Sequence, residues 1–189
     1  MANVTPSQTV GPYLHIGLEW KDAHIVAGDS IPGRIRIEGQ VADFKGQATP
    51  DCMVEIWQAN AAGRYDHPAD RRDDKKLTPG FKGFGRCSTD AQGMFRFVTV
   101  KPGAVPGPGN ALQAPHIALG IFGRGLLKRL YSRLYFPDEP LNDADPVLNL
   151  VDPARRGTLI ARKVAGGDLP TYRLDIRLQG GAETVFFEA

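Results

Sequence analysis

An alternation of apolar and polar residues, repeated five times along the chain, constrains the fold more than any other feature of the sequence. Ile35 and Ile37 alternate with charged residues, and Phe95 and Phe97 flank Arg96. The same period of two appears at 51–56, 117–121 and 172–178. A strand directs residues i and i+2 to one face, so this period predicts strands that bury one face.

Turn-forming residues separate these stretches. The chain contains 22 glycines and 15 prolines scattered throughout, which is typical of many short strands joined by turns. Helical patterns are scarce: residues 126–136 and 153–164 each fit a short helix or a strand, and the closing run ETVFFEA fits an edge strand. The sequence therefore predicts an all-β fold, a β-sandwich or barrel with long loops and little helix.

Length and composition restrict the class of protein. The 189 residues form most simply one domain, 1–189, and a content of 42% hydrophobic and 23% charged residues is ordinary for a globular protein. A formal charge of +2 gives no electrostatic reason to expect nucleic acid or a membrane as partner. No apolar run is long enough to span a bilayer, and the first residues do not resemble a signal peptide. Cys52 and Cys87 lack metal-ligand spacing, so we expect reduced thiols in a cytoplasm.

Two long polar loops, 63–85 and 101–115, are the expected place for function, since loops of this length in a compact domain are usually functional or disordered. Tyr65 and His67 lie in the first loop, where a packing tyrosine and a solvated histidine are the simplest interpretations. The charges of alternating sign at 71–76 fit a solvated loop. None of these residues forms a familiar catalytic motif by itself.

Two further residues, His116 and Arg124, lie in or beside the alternating stretch that follows the second loop. His116 begins an apolar run and is most simply a hydrogen-bonded core or pocket residue. Arg124 stands between Gly123 and Gly125 directly after that run. Its guanidinium is left uncovered by the glycines, which suits recognition of a carboxylate, and a surface salt bridge explains it equally.

Six stretches, in order along most of the chain, resemble the intradiol ring-cleaving dioxygenases. The resemblance implies a β-sandwich core with long loops, in agreement with the period-two pattern. The matching stretches are TPSQTVGPYLHIGL (5–18), VEIWQANAAGRY (54–65), GFGRCSTDAQGMFRFVTVKPG (81–103), APHIALGIFGRG (114–125), RLYFPDEPLNDADPVLNL (133–150) and YRLDIRLQGGAETVFFE (172–188).

The resemblance also implies a set of metal ligands, because catalytic members hold non-haem ferric iron with two tyrosines and two histidines. Tyr65 and His116 match one residue of each pair, whereas Val105 and Ala118 replace the other two. Neither valine nor alanine can coordinate a metal, and Gln113 replaces an arginine of the catalytic members. We call Tyr65, Val105, His116 and Ala118 the relic site. The resemblance thus implies that this chain binds no metal and that ferric iron is held by a partner chain.

The loss of ligands resembles the non-catalytic α chain of two-chain family members, which pairs with an iron-binding β chain to cleave protocatechuate with dioxygen. The implied assembly is a higher hetero-oligomer of α and β units in bacterial aromatic catabolism. The implied role of residues 1–33, the N-terminal arm, is a contribution to the subunit interface. Two other hypotheses remain: a degenerate member that only binds an aromatic acid, and a purely structural subunit. The residues implied to line the shared substrate pocket are Thr9, Gly11, Pro12, Tyr13 and Arg124.

Overall fold

The computed structural model describes residues 4–188, which form short strands, one helical turn and several 3₁₀ turns. The helix, α1, spans Tyr13–Gly17, and the 3₁₀ turns span Pro108–Asn110, Pro140–Ala144, Leu148–Leu150 and Arg156–Leu159. The strands are β1 (Arg34–Ala42), β2 (Met53–Trp57), β3 (Phe84–Ser88), β4 (Met94–Val100), β5 (Val105–Pro106), β6 (Leu112–Gln113), β7 (His116–Phe122), β8 (Leu130–Tyr135), β9 (Arg162–Val164), β10 (Thr171–Arg173) and β11 (Ile176–Arg177).

The strands form two main sheets. In the first sheet, β1 pairs antiparallel with β4 along one edge and parallel with β10 and β11 along the other, and β9 lies outside β10. The second sheet has the order β3-β2-β7-β8 and is antiparallel throughout. A two-stranded hairpin of β5 and β6 stands apart from both sheets and lies within the second long loop.

The two sheets share one hydrophobic core, and this arrangement confirms the predicted β-sandwich. Ile37 and Phe97 of the first sheet are fully buried in the same cluster as Ile56 and Leu119 of the second. Along β1 the buried residues alternate strictly with half-buried ones until the last two positions. Alternation on one face, with a shared apolar layer between two sheets, is the packing expected of a sandwich.

The regions that the sequence left open are now assigned. The ambiguous segment 126–136 contains strand β8, and 153–164 contains a 3₁₀ turn followed by β9. The expected single strand over 172–178 is divided into β10 and β11, because Asp175 Oδ1 accepts the Gln40 backbone N–H at 3.0 Å in place of a strand carbonyl.

The closing run 183–189, which fits an edge strand in the sequence, forms no strand over its described residues 183–188. Phe187 pairs with Tyr131 through a single antiparallel bridge. The backbone groups of Val185 bond to side chains and are therefore not available for pairing with a neighbouring strand. Ser132 Oγ donates to the Val185 carbonyl at 2.8 Å, and the Val185 N–H donates to Thr158 Oγ1 at 3.2 Å. Residues 1–3 and 189, which belong to the predicted domain and arm, lie outside the described residues. Within 4–188, no helix has the length and apolar character that crossing a membrane requires.

Candidate functional site

Three positions that the resemblance singled out meet at one cavity of about 760 Å³, which we call the relic cavity. Tyr65 comes from the first long loop, and Val105 and Gln113 are directly paired across the β5–β6 hairpin. Trp57, at the end of β2, also lines the cavity. The two long loops therefore meet over the end of the second sheet, and the other relic residues, His116 and Ala118, lie on β7.

Tyr65 is held by aromatic contacts. Its ring stacks on that of Trp57, with ring centroids 5.7 Å apart and ring planes 14° apart. His67 packs edge-on against the Trp57 ring, with the two ring centroids 6.2 Å apart. Burial raises the pKa of Tyr65, and the nearby charge of Arg133 partly opposes that effect. Tyr65 is therefore a neutral phenol at pH 7, in agreement with the packing tyrosine expected from the sequence.

Hydrogen bonds fix the loop that carries Tyr65. Asn60 Oδ1 accepts from the backbone N–H groups of Ala62 and Arg64, both at 3.0 Å, and Asn60 Nδ2 donates to the Lys76 carbonyl at 2.9 Å. Asp70 accepts the Tyr65 N–H at 2.9 Å and pairs with Arg72. The charged run at 71–76 is thus not only a solvated loop, because one of its arginines is part of the framework that positions Tyr65.

His116 is a buried, neutral imidazole. Its Nδ1 lies 2.7 Å from the Ala114 carbonyl, and since a carbonyl only accepts, Nδ1 carries the proton and Nε2 is left with its lone pair. Burial lowers the pKa of His116 to about 4, with a further contribution from the charge of Arg133. The Ala114 N–H in turn donates to the buried Asp145 at 2.7 Å, which also accepts from Tyr135. The core interpretation of His116 is therefore correct.

Arg133, which sequence reasoning did not single out, stands among the relic positions. The β7–β8 register places it directly opposite Ala118, so the two side chains share a face of the sheet. Its Nη1 donates to Gln113 Oε1 at 2.7 Å and contacts the Tyr135 hydroxyl at 3.4 Å. Only the strand register could have identified this residue, and the sequence left its segment open between helix and strand.

The relic site does not fit the iron of the catalytic family members. Tyr65 and His116 keep donor atoms, whereas the methyl groups of Val105 and Ala118 have no lone pairs, so half of the ligand set is absent. Arg133 adds a positive charge close to both remaining donors. In residues 4–188, no three or more His, Cys, Asp and Glu side chains are grouped to hold a metal ion.

Four of the five residues implied to line a shared pocket also lie close together. Gly11, Pro12 and Arg124 line a surface cavity of about 520 Å³, which we call the arm cavity. Thr9 joins the same region, because its Oγ1 accepts the Gly125 N–H at 2.7 Å. Tyr13 starts α1, does not line the arm cavity and is 78% exposed.

Arg124 forms a surface salt bridge, which was one of the two interpretations of this residue from the sequence. Its guanidinium pairs with Asp51, which also lines the arm cavity, and its side chain remains 76% exposed. The ion pair orients the guanidinium at the cavity rim without enclosing it. A carboxylate ligand therefore retains access to Arg124 from solvent.

The arm cavity is remote from the relic site of the same chain. His116 begins β7 and Phe122 ends it, so the strand separates the two regions by about 20 Å at ~3.3 Å per residue. Arg124 follows the far end of that strand. Residues of the arm cavity consequently do not contribute to the relic cavity of their own chain.

Comparison with known proteins agrees with this architecture. The family model described as Dioxygenase matches residues 13–180. The protocatechuate 3,4-dioxygenase α chain of Pseudomonas putida is 43% identical over 97% of this chain and 96% of its own length. The β chain from Burkholderia cepacia is 42% identical over 81% of this chain and 67% of its own length.

A solved structure extends the agreement to three dimensions. The dioxygenase domain of a dioxygenase carbohydrate-binding protein fusion from Streptomyces sp. SirexAA-E superposes with a TM-score of 0.63 at 27% identity, over 95% of this chain and all of that domain. Sequence, family model and fold therefore lead to one conclusion: the chain belongs to the intradiol dioxygenase family.

Proposed function

We propose that this chain is the non-iron-binding α subunit of a protocatechuate 3,4-dioxygenase and acts only in complex with a β chain. Members of the family depend on iron. In the proposed complex, the β chain holds ferric iron, and protocatechuate is cleaved by dioxygen between its two hydroxylated carbons to give 3-carboxy-cis,cis-muconate. The two chains together form the pocket, in a higher hetero-oligomer of α and β units in a bacterial cytoplasm.

The observation that carries the proposal is the composition of the relic site. Two of its four positions are hydrocarbon side chains, and the charge of Arg133 acts on the two that remain. A chain with this arrangement needs a partner to supply the redox centre. The similarity to both an α chain and a β chain supports a partner of the same family.

The position of the arm cavity supports a second part of the proposal. Gly11, Pro12 and Arg124 meet about 20 Å from their own relic site, so a pocket that uses them lies at a neighbouring chain. Pro12 has a fixed φ and Gly11 has no side chain, which together allow close approach of the backbone to a substrate. Arg124 would attract the carboxylate of protocatechuate.

The cytoplasmic location is also a proposal. Cys52 is buried, Cys87 is half-buried, and neither forms a disulfide. Unpaired thiols suit a reducing compartment.

The relic cavity supports a second candidate function, binding of an aromatic acid by this chain alone. It is large enough for a small aromatic ring and presents the stacked pair Trp57 and Tyr65. Titration of the isolated chain with protocatechuate separates the two candidates. We expect no measurable binding for a subunit that holds only part of the catalytic pocket, and saturable one-to-one binding for a binding module.

The test of the main proposal is expression with and without a β chain. We expect the chain alone to contain no stoichiometric iron and to lack tyrosinate-to-iron absorption in the visible range. The complex with a β chain should be coloured and should cleave protocatechuate. A coloured, active preparation of this chain alone would refute the proposal.

A further inference from the structure

We infer that the guanidinium of Arg133 takes the place of the metal in this chain and keeps the relic site closed to cations. The inference uses the relic positions themselves and does not require that the chain assembles with a β chain. It assigns a role to a residue that neither the sequence motifs nor the family match identified.

Arg133 has room to extend over β7. Ala118 lies between Trp57 on one neighbouring strand and Arg133 on the other, and directly opposed side chains of a sheet are in contact distance. A methyl group at 118 leaves room above β7 that a longer side chain would occupy. Arg133 reaches across this room, because its Nη1 donates to Gln113 Oε1, which belongs to β6 rather than to β7 or β8.

Arg133 also connects separate parts of the relic site. Gln113 is paired with Val105 across the β5–β6 hairpin, so the hydrogen bond from Arg133 ends beside another relic position. Tyr135, which Arg133 also contacts, packs with its ring centroid 5.7 Å from that of His116. One guanidinium therefore links the strand of the lost histidine, the hairpin of the lost tyrosine and the surroundings of the remaining histidine.

The positive charge of Arg133 is the feature that excludes a second cation. Within residues 4–188 the partners of Arg133 are neutral: the Gln113 amide, the Tyr135 hydroxyl and the ring of Phe187, whose centroid is 6.0 Å from the guanidinium carbon. Its buried Nε has no hydrogen-bond partner there. An arginine cannot lose its proton in a protein, so the site carries a permanent positive charge, and the Asp145 carboxylate connects to it only through the Tyr135 hydroxyl. A second cation at the same place is repelled.

The experiment restores the missing donors with and without this charge. The full-length chain is prepared as Val105→Tyr/Ala118→His, and as the same pair combined with Arg133→Met or with Arg133→Lys. Each is incubated with ferrous ammonium sulfate in air and desalted, and iron per chain and visible absorption are measured. We expect the Arg133→Met combination to retain at least tenfold more iron than the other two, because only it lacks the charge.

Two results would overturn the inference. One is equal iron retention by the donor pair with Arg133 in place, and the other is no retention by a folded Arg133→Met combination. Since the test uses the chain alone, neither result depends on whether the proposed heteromeric enzyme forms.

If the combined variants do not fold, a stability measurement tests whether Arg133 occupies the space beside Ala118. An imidazole at position 118 must compete with the guanidinium for one space, so we expect Ala118→His to lower the melting temperature of the wild-type chain. In the Arg133→Met background the same change should cost markedly less. Additive effects in this double-mutant cycle would show that the two side chains do not share the space.

Discussion

At the scale of single residues, His116 shows how a former ligand becomes part of a core. Its place in an apolar run predicted a hydrogen-bonded core or pocket residue, and the structure adds what the sequence could not contain: a proton on Nδ1 held by the Ala114 carbonyl, and a nearby guanidinium. Burial and the charge of Arg133 disfavour the imidazolium, and together they outweigh the hydrogen bond to the Ala114 carbonyl, which favours it. The residue therefore contributes stability only while it is neutral.

This property predicts a pH dependence. The pKa of His116 is lowered from about 6.5 in the unfolded chain to about 4 in the folded one, so the unfolded chain binds a proton first as the pH falls. The free energy of unfolding should decrease between pH 6.5 and 4, by on the order of 3 kcal/mol from this group. Urea unfolding at several pH values measures it.

One variant isolates the contribution of His116. His116→Gln should flatten the stability profile in that interval. A profile of His116→Gln that is as steep as that of the wild-type chain would contradict a buried neutral imidazole.

The residue that sequence analysis missed is also instructive. Arg133 lies in a segment where helix and strand patterns were equally good, and only pairing with β7 brings it opposite Ala118. The lost ligands at 105 and 118 were evident from the sequence as substitutions. The position of Arg133 beside these lost ligands depends on the register between β7 and β8. Strand register is set by packing and not by a local sequence motif.

At the scale of elements, β1 is the strand on which the first sheet is built. It pairs with β4 on one side and with β10 and β11 on the other. Gly39, near the middle of β1, lies against the backbone of the short segment between β10 and β11. A Cβ built at Gly39 would be 1.9 Å from the Leu174 carbonyl oxygen and 2.7 Å from Phe95 Cζ.

Gly39→Ala is therefore expected to be strongly destabilising. The carbonyl belongs to backbone and cannot turn away as a side chain would, so the strand must shift, at a cost of about 3 kcal/mol. Gly157→Ala is the matched control, since a Cβ there meets nothing within 4 Å, and its effect should stay within about 0.5 kcal/mol. Chemical denaturation of both variants compares them, and equal stabilities would disprove the close approach.

The pairing of β1 also explains one difference between sequence and structure. The run 172–178 has an unbroken period of two and was expected to form one strand. All four of its apolar residues face the core as predicted, from Tyr172 to Leu178. The interruption comes from the Asp175 carboxylate, which takes the Gln40 N–H, and a period of hydrophobicity carries no information about such a competing acceptor.

At the scale of the whole molecule, the N-terminal arm presents apolar side chains on a fixed backbone. Tyr13, Ile16 and Trp20 are 78%, 74% and 50% exposed. Arg86 of β3 anchors the segment, since its Nη1 donates to the Leu18 carbonyl at 2.5 Å and its guanidinium lies 5.0 Å from the Trp20 ring centroid. Exposed apolar groups held in this way are typical of an interface.

Substitution of one of these residues tests the interface. Ile16→Asp should weaken association with a β chain at least tenfold, because a carboxylate would be desolvated there, while leaving the melting temperature of the isolated chain unchanged. Leu150→Asp is the control, because Leu150 is 83% exposed on a separate 3₁₀ turn. Analytical ultracentrifugation of the mixtures measures association, and retention of full affinity by Ile16→Asp would remove α1 from the proposed interface.

The parallel pairing of β1 with β10 has a consequence during translation. Arg36 pairs with Thr171, so β1 waits while some 135 further residues are synthesised before its second edge is covered. The antiparallel neighbour β4 arrives much earlier and protects only one side. Completion of this sheet thus has to wait for β10, and until then the emerging polypeptide carries an open hydrogen-bonding edge that chaperones or premature self-association can reach.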